Sequence, residues 1–280
     1  MLKRIPICLF AFWLSLVAWS VPVRADGQSA GADARRYLYL TPDIVDRTIF
    51  YHSFERGMEK PELNPIGASV QAPGEKVVEG LTGRGWQCPK REKGRDASLT
   101  VRSAGLSVHE PRSFMMWWRL DAPMSRRSGF HLVRLEGAGW ISNFVHGAGK
   151  WCNLQRPTNI LQVYRFPGIS NHNGRWGGGP AVVEPGEWHH VAITVSAASE
   201  TRVFWDGHLV REYHNKGRLF RGGEIRQAVF GRLYGSHLMT VDEIVILDVA
   251  LGGEQLRRYV ETVRRLREVG VPFVDAGAGE

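Results

Sequence analysis

The stretch from Glu187 to Val210, EWHHVAITVSAASETRVFWDGHLV, sets a Trp beside two histidines, the side chains that most readily bind metals or move protons near neutral pH. Chemistry at such a doublet needs both imidazoles on one side of the backbone. The residues that follow bear on this, because His189, Val191, Ile193 and Val195 alternate with Trp188, His190, Ala192 and Thr194 at the period of an extended strand. His189 and His190 then face opposite sides of a sheet and share neither a metal ion nor a substrate. The doublet reads as architecture.

Other candidate chemistry lies in loops. Trp176 stands in ISNHNGRWGGGP, a glycine-rich polar segment that also offers Asn171, His172, Asn173 and Arg175, and Trp151 stands in GAGKWCNLQRP. Indole rings stack on pyranose faces, because the axial C–H groups of the sugar meet the negative π-face and the rigid ring loses little entropy. Trp151, Asn171, His172, Arg175 and Trp176 are the expected ligand-binding set, with the alternative that each Trp folds back over a sheet edge. No Gly-x-Ser-x-Gly elbow, zinc spacing or phosphate loop occurs, and GRWGGG lacks the strand-to-helix setting of a nucleotide fingerprint.

The elements that hold these residues are short. From Tyr37 onward, runs of period two alternate with clusters of Gly, Pro, Asn and Asp, the pattern of an all-β sandwich or barrel. Predicted strands are RTIFYHSF, GRGWQC, SLTVRS, SFMMWWRLD, HLVRLEG, WISNFVHG, NILQVYRF, WHHVAITVS, TRVFWDG, HLVREYH, QAVFGRL and VDEIVILD. One helix is predicted, from Glu254 to about Val269, where Leu256, Tyr259, Val260, Val263 and Leu266 recur at helical spacing. Asp206-Gly207 supplies the positive-φ dipeptide of a tight hairpin. Met115 and Trp117 face away from Phe114, Met116 and Trp118, so that strand is apolar on both faces, and a neighbouring loop is expected to cover the second.

Lys3 and Arg4 precede the apolar run IPICLFAFWLSLVAWSV, which ends at Val23-Arg24-Ala25, the layout of a secretory signal peptide. An uncleaved anchor is the alternative. The expected organisation is a signal peptide over residues 1–25, a flexible leader over 26–36, one domain over 37–270 and a polar tail over 271–280. The location implied is secreted, periplasmic or extracellular, with no stable membrane span after cleavage. Cleavage removes Lys3, Arg4 and Arg24, so the formal charge falls from +8 to +5. Arginines are spread along the chain rather than packed in a block, so nucleic acid is not an expected partner. Cys88 and Cys152 survive cleavage, and in an oxidising compartment such a pair is expected to form a disulfide.

WHHVAITVS followed by TRVFWDGHLV resembles the signature hairpin of the LamG-like, concanavalin A-like jelly-roll domains. In that family a Trp-His-x-Val-Ala strand precedes an aromatic-x-Asp-Gly strand. Other segments agree in order: TIFYHSFE is similar to the first strand, GLTGRGWQC to the Gly-x-x-Gly strand, SFMMWWRLD to the Trp-centred strand, and VDEIVILDVALGGEQLRRY to the closing strand and its short helix. The resemblance spans about Thr48 to Tyr259.

It implies an all-β concanavalin A-like (LamG-type) jelly-roll β-sandwich with a short C-terminal helix. It also implies a calcium ion held by Asp242 with Glu55, which stands where the family usually has Asp. The alternative is that Asp242 accepts hydrogen bonds from loop amides. The family includes laminin-type adhesion modules, lectins, glycoside hydrolases and polysaccharide lyases, so the fold leaves function open. The paired carboxylates of its retaining glycosidases have no match here, since Glu243 and Asp248 are five apart, and the Arg-x-Glu-x-Arg and Gln-x-His strands of its lyases are missing. The expected function is a secreted non-enzymatic module binding a glycan or an extracellular surface protein. A divergent hydrolase or lyase and a passive structural module are the alternatives.

Overall fold

A computed structural model describes residues 40–72, 76–88, 98–106, 110–123, 129–137, 140–146, 160–166, 183–196, 200–214, 225–234 and 238–270. Alternation of apolar and polar residues produces antiparallel strands that sort into two sheets. The larger sheet joins β1 (Thr48–His52), β3 (Val77–Glu79), β4 (Arg84–Cys88), β6 (Arg112–Leu120), β10 (Trp188–Val195), β11 (Glu200–Trp205), β12 (His208–His214) and β14 (Met239–Leu247). Its order is β12-β11-β10-β6-β14-β4-β3, with β1 also on β14. The smaller sheet joins β2 (Ser69–Gln71), β5 (Leu99–Arg102), β7 (Gly129–Gly137), β8 (Trp140–His146), β9 (Ile160–Phe166) and β13 (Ile225–Tyr234), in the order β2-β5-β13-β7-β8-β9.

All twelve predicted strands form. β2 and β3 are additional; at three residues each they are too short to show a period, and pairing alone defines them. A four-residue helix α1 (Pro42–Val45) precedes β1, and α2 (Gly253–Glu268) follows β14, as the helical spacing predicts. Among the described residues no helix is long and apolar enough to cross a membrane.

Between the sheets lies the main core. Phe114, Met116, Trp118 and Leu120 of β6, Val191, Ile193 and Val195 of β10, and Val241, Ile244 and Ile246 of β14 meet Leu99, Val101, Leu135, Ala228 and Phe230 of the smaller sheet. Each Val, Leu, Ile, Phe or Met among them, fully buried, contributes roughly 1.5–3 kcal/mol of transfer free energy.

The opposite face of β6 carries a second core. Met115 and Trp117, with Trp188, Ala192, Phe204, Val245 and Leu247, pack under Leu256, Tyr259, Val260 and Val263 of α2. The cover is therefore the amphipathic helix, where a loop was expected. A helix offers a continuous apolar stripe wide enough to satisfy several strands at once, which a loop with unpaired backbone groups does not. The same arrangement explains why β6, β10 and β14 are buried on both faces and read as nearly unbroken apolar runs.

β14 changes partners partway along one edge. Met239, Thr240 and Val241 pair with Cys88, Gln87 and Trp86 of β4, whereas Ile244 to Leu247 pair with β1. On its other edge the pairing with β6 slips between Asp242 and Val245, so two residues of β14, Glu243 and Ile244, oppose the single Met116 of β6. That is a β-bulge, and Glu243 takes a positive φ of 50° within it.

Candidate functional site

The bulge places two carboxylates in the outer core. Asp242 and Glu243 are both fully buried. Asp242 Oδ2 accepts the backbone N–H of Leu81 (2.8 Å) and Thr82 (3.4 Å), and its Oδ1 accepts the N–H of Glu243 (2.8 Å). Glu243 Oε2 accepts from the Tyr51 phenol (2.7 Å) and Oε1 from the Thr82 hydroxyl (2.8 Å). The pair thus fills the gap where β4 ends and β1 begins, capping backbone groups that no strand reaches. Burial pushes the Glu243 carboxyl up to about 7 and raises Asp242 well above the usual carboxylate range, with the neighbouring Glu243 charge acting in the same direction.

Glu55, the other expected calcium ligand, accepts the N–H of Arg84 at 2.6 Å. Glu55 and Asp242 therefore close the same turn, residues 80–84, and their bonded oxygens face backbone N–H protons. Among the described residues no three His, Cys, Asp or Glu side chains converge as a metal site.

The histidine doublet divides as alternation requires. His189 lies on the inner face, its ring centroid 4.7 Å from that of Trp205, and its Nδ1 is 2.9 Å from Asp206 Oδ2. His190 lies on the outer face between Trp117 (5.4 Å) and Tyr259 (5.3 Å), with no hydrogen-bond partner for either ring nitrogen. Burial lowers the His190 pKa to about 3, so its imidazole is neutral near pH 7. Asp206, read from sequence as a turn residue, does have its positive φ, 48°. It also clamps three groups: His189, the His190 N–H (2.8 Å) and Arg264 of α2 (3.0 Å).

Where α2 leaves the sheet, a cavity of about 310 Å³ opens, lined by Leu81, Trp117, Trp188, Arg264, Arg267 and Glu268. Its indoles carry guanidiniums: Arg264 lies 5.9 Å from the Trp117 ring centroid and Arg119 lies 5.0 Å from that of Trp188. The Trp188 Nε1 is buried without a hydrogen-bond partner. Sequence reasoning missed this cavity. The only local signal was the pair Arg264 and Arg267, three apart and flanking the apolar stripe of the predicted helix.

The expected ligand-binding residues Trp151, Asn171, His172, Arg175 and Trp176 lie outside the described residues, as do Cys152 and residues 1–36 and 271–280, where a signal peptide, a leader and a polar tail are expected. Cys88 is fully buried, and burial raises its thiol pKa.

A sequence-family model described as the concanavalin A-like lectin/glucanases superfamily matches residues 93–257, more than half of the chain. The chain belongs to that superfamily. No curated protein sequence matches it. Solved structures share its fold. The binding domain of Paraclostridial Mosquitocidal Protein 1 is 15% identical with a TM-score of 0.52, over 78% of this chain and 52% of that one. The binding domain of Botulinum Neurotoxin DC, solved in complex with rat synaptotagmin II, is 14% identical with a TM-score of 0.52, over 79% and 52%. The Botulinum neurotoxin serotype D ligand binding domain, solved with N-acetylneuraminic acid, is 12% identical with a TM-score of 0.51, over 78% and 52%. This chain spans about half the length of each.

Proposed function

We propose that this chain is a secreted, non-enzymatic binding module that recognises a glycan or an extracellular surface partner, with Trp151, Asn171, His172, Arg175 and Trp176 among its contacts. The observation that carries the reading is the state of the acids. Glycoside hydrolysis in this superfamily needs two carboxylates facing one bond across an open surface. The adjacent pair present, Asp242 and Glu243, lies fully buried and accepts five hydrogen bonds from the protein itself.

The strands of the smaller sheet contain one acid, Glu136, which pairs with Arg134 at 2.5 Å and accepts a hydrogen bond from Gln227. The solved structures of similar fold are binding domains, one solved with N-acetylneuraminic acid and one with rat synaptotagmin II. Their likeness to this chain is one of fold, and they support recognition rather than turnover.

A glycan array probed with the full chain, with and without calcium, tests the reading. Retention of a defined glycan class supports it. Release of reducing ends from any retained polysaccharide favours the hydrolase or lyase alternative. No retention together with self-association favours a structural module. The calcium ion proposed at Asp242 and Glu55 has its own readout. A bound ion raises the melting temperature when calcium is restored after chelation, and an unchanged value removes it.

A further inference from the structure

We propose that the cavity between the last turns of α2 and the outer face of the larger sheet is a binding site for a carboxylate-bearing sugar. The inference rests on the reading of the chain as a glycan-binding module, and places a site at residues separate from the loop set. Three observations carry it.

The volume, about 310 Å³, lies at the lower end of the roughly 300–1,000 Å³ that ligand sites occupy and suits one monosaccharide unit. The walls are of two kinds. Leu81, Trp117 and Trp188 give an apolar side, and Arg264 and Arg267 give a cationic one, against the single acid Glu268. A pyranose ring with one carboxylate has the same division.

The cationic side is pre-organised as well as charged. Arg264 is held at one end by Asp206 (3.0 Å) and lies against Trp117, so the side chain loses little further rotamer freedom on meeting an anion. Asp206 engages one of its terminal nitrogens, and the guanidinium has further donors in the same plane. Arg267, exposed on the next turn, has no ion-pair partner among the described residues and supplies the uncompensated charge. That charge is needed, because the C-terminal end of a helix carries a partial negative charge that repels anions.

Neutral lactose, sialyllactose and a glucuronate-terminated disaccharide, each titrated into the full chain by calorimetry, provide the test; the two acidic probes separate a sialic acid from a uronic acid. One or both acidic sugars are expected to bind and lactose to bind at least tenfold more weakly. Arg267→Glu is expected to weaken acidic binding by about tenfold or more, as loss of a charge-assisted contact implies. Arg265→Glu, the same charge change on the same helix outside the cavity lining, is expected to leave binding unchanged, with both variants melting near the parent temperature.

Equal effects of the two substitutions, or no preference for acidic over neutral sugar, overturn the site. If the array retains glycans that Trp176→Ala releases and Arg267→Glu does not, the binding module stands and this cavity falls. If no glycan is retained at all, both fall.

Discussion

Tyr51 of β1 and Glu243 of β14, 192 residues apart, meet in the outer core through a 2.7 Å hydrogen bond that the phenol donates to Oε2. The contact joins the first strand of the larger sheet to the bulge in its last. Removing the hydroxyl leaves a buried carboxylate oxygen without its donor, and such an orphan costs about 1–3 kcal/mol. Tyr51→Phe is accordingly expected to lower unfolding free energy by that amount in urea, with an unchanged denaturant slope. A loss below half a kilocalorie would mean that water replaces the phenol.

The raised pKa of Glu243 gives a signed pH dependence. Its folded value is about 7 against an ordinary 4.5, so between those pH values the folded chain holds a proton that the unfolded chain has released. Stability contributed by this group is complete below pH 4.5 and lost as pH rises towards 7, at up to about 1.4 kcal/mol per pH unit. Asp242, raised by burial, adds in the same sense. Glu243→Gln, whose amide stays neutral at every pH, is expected to remove its share of this slope, read from urea midpoints between pH 4.5 and 7.

His190 acts in the opposite sense. Its folded pKa is lowered to about 3 from 6.5 by burial, so the unfolded chain takes up the proton first. Stability falls as pH drops from 6.5 towards 3, again at up to about 1.4 kcal/mol per pH unit. His190→Phe keeps an aromatic ring against Trp117 and Tyr259 and removes two unpartnered nitrogens. It is expected to flatten the acid limb below pH 6.5 and to raise stability at pH 5 more than at pH 8. An unaltered acid limb would place the titrating group elsewhere.

Gly207 closes the β11–β12 hairpin at a φ of 78°, and an added Cβ would stand 2.6 Å from the Arg257 Cα. Both the backbone conformation and the approach of α2 oppose any side chain there. Gly186 also has a positive φ, 92°, with open space around it. Gly207→Ala is expected to destabilise by several kcal/mol and to loosen α2, and Gly186→Ala by only about 1 kcal/mol. Thermal melts of the two variants, with hydrogen exchange on the helix, check both. Equal losses would show that α2 does not press on the hairpin.

Local periodicity carries far in this chain. Side chains along a strand alternate whatever the strand packs against, so the twelve longer strands, the opposed histidines and the positive-φ Asp206-Gly207 turn were all legible in the order of residues, as was α2 from its apolar stripe. The assignment of the chain to its superfamily was legible from the β10–β11 hairpin together with the closing strand.

The candidate cavity was not. Leu81, Trp117, Trp188 and Arg264 come from four separate elements, and nothing within any one of them says that they meet. Loop-amide capping by Asp242 was among the readings the sequence allowed, but the role of Glu243 was hidden in the same way. Alternation assumes an unbroken strand, but β14 exchanges β4 for β1 at Asp242, and the resulting bulge turns Glu243 into the outer core. The sequence by itself determined which residues alternate and which helix forms, because those depend on neighbours a few positions away. Only the tertiary structure decided that α2 roofs the second face of β6, that two buried carboxylates cap a break in the sheet, and that arginines stand over tryptophans at its edge. Those outcomes depend on distant strands being brought to a common depth and register.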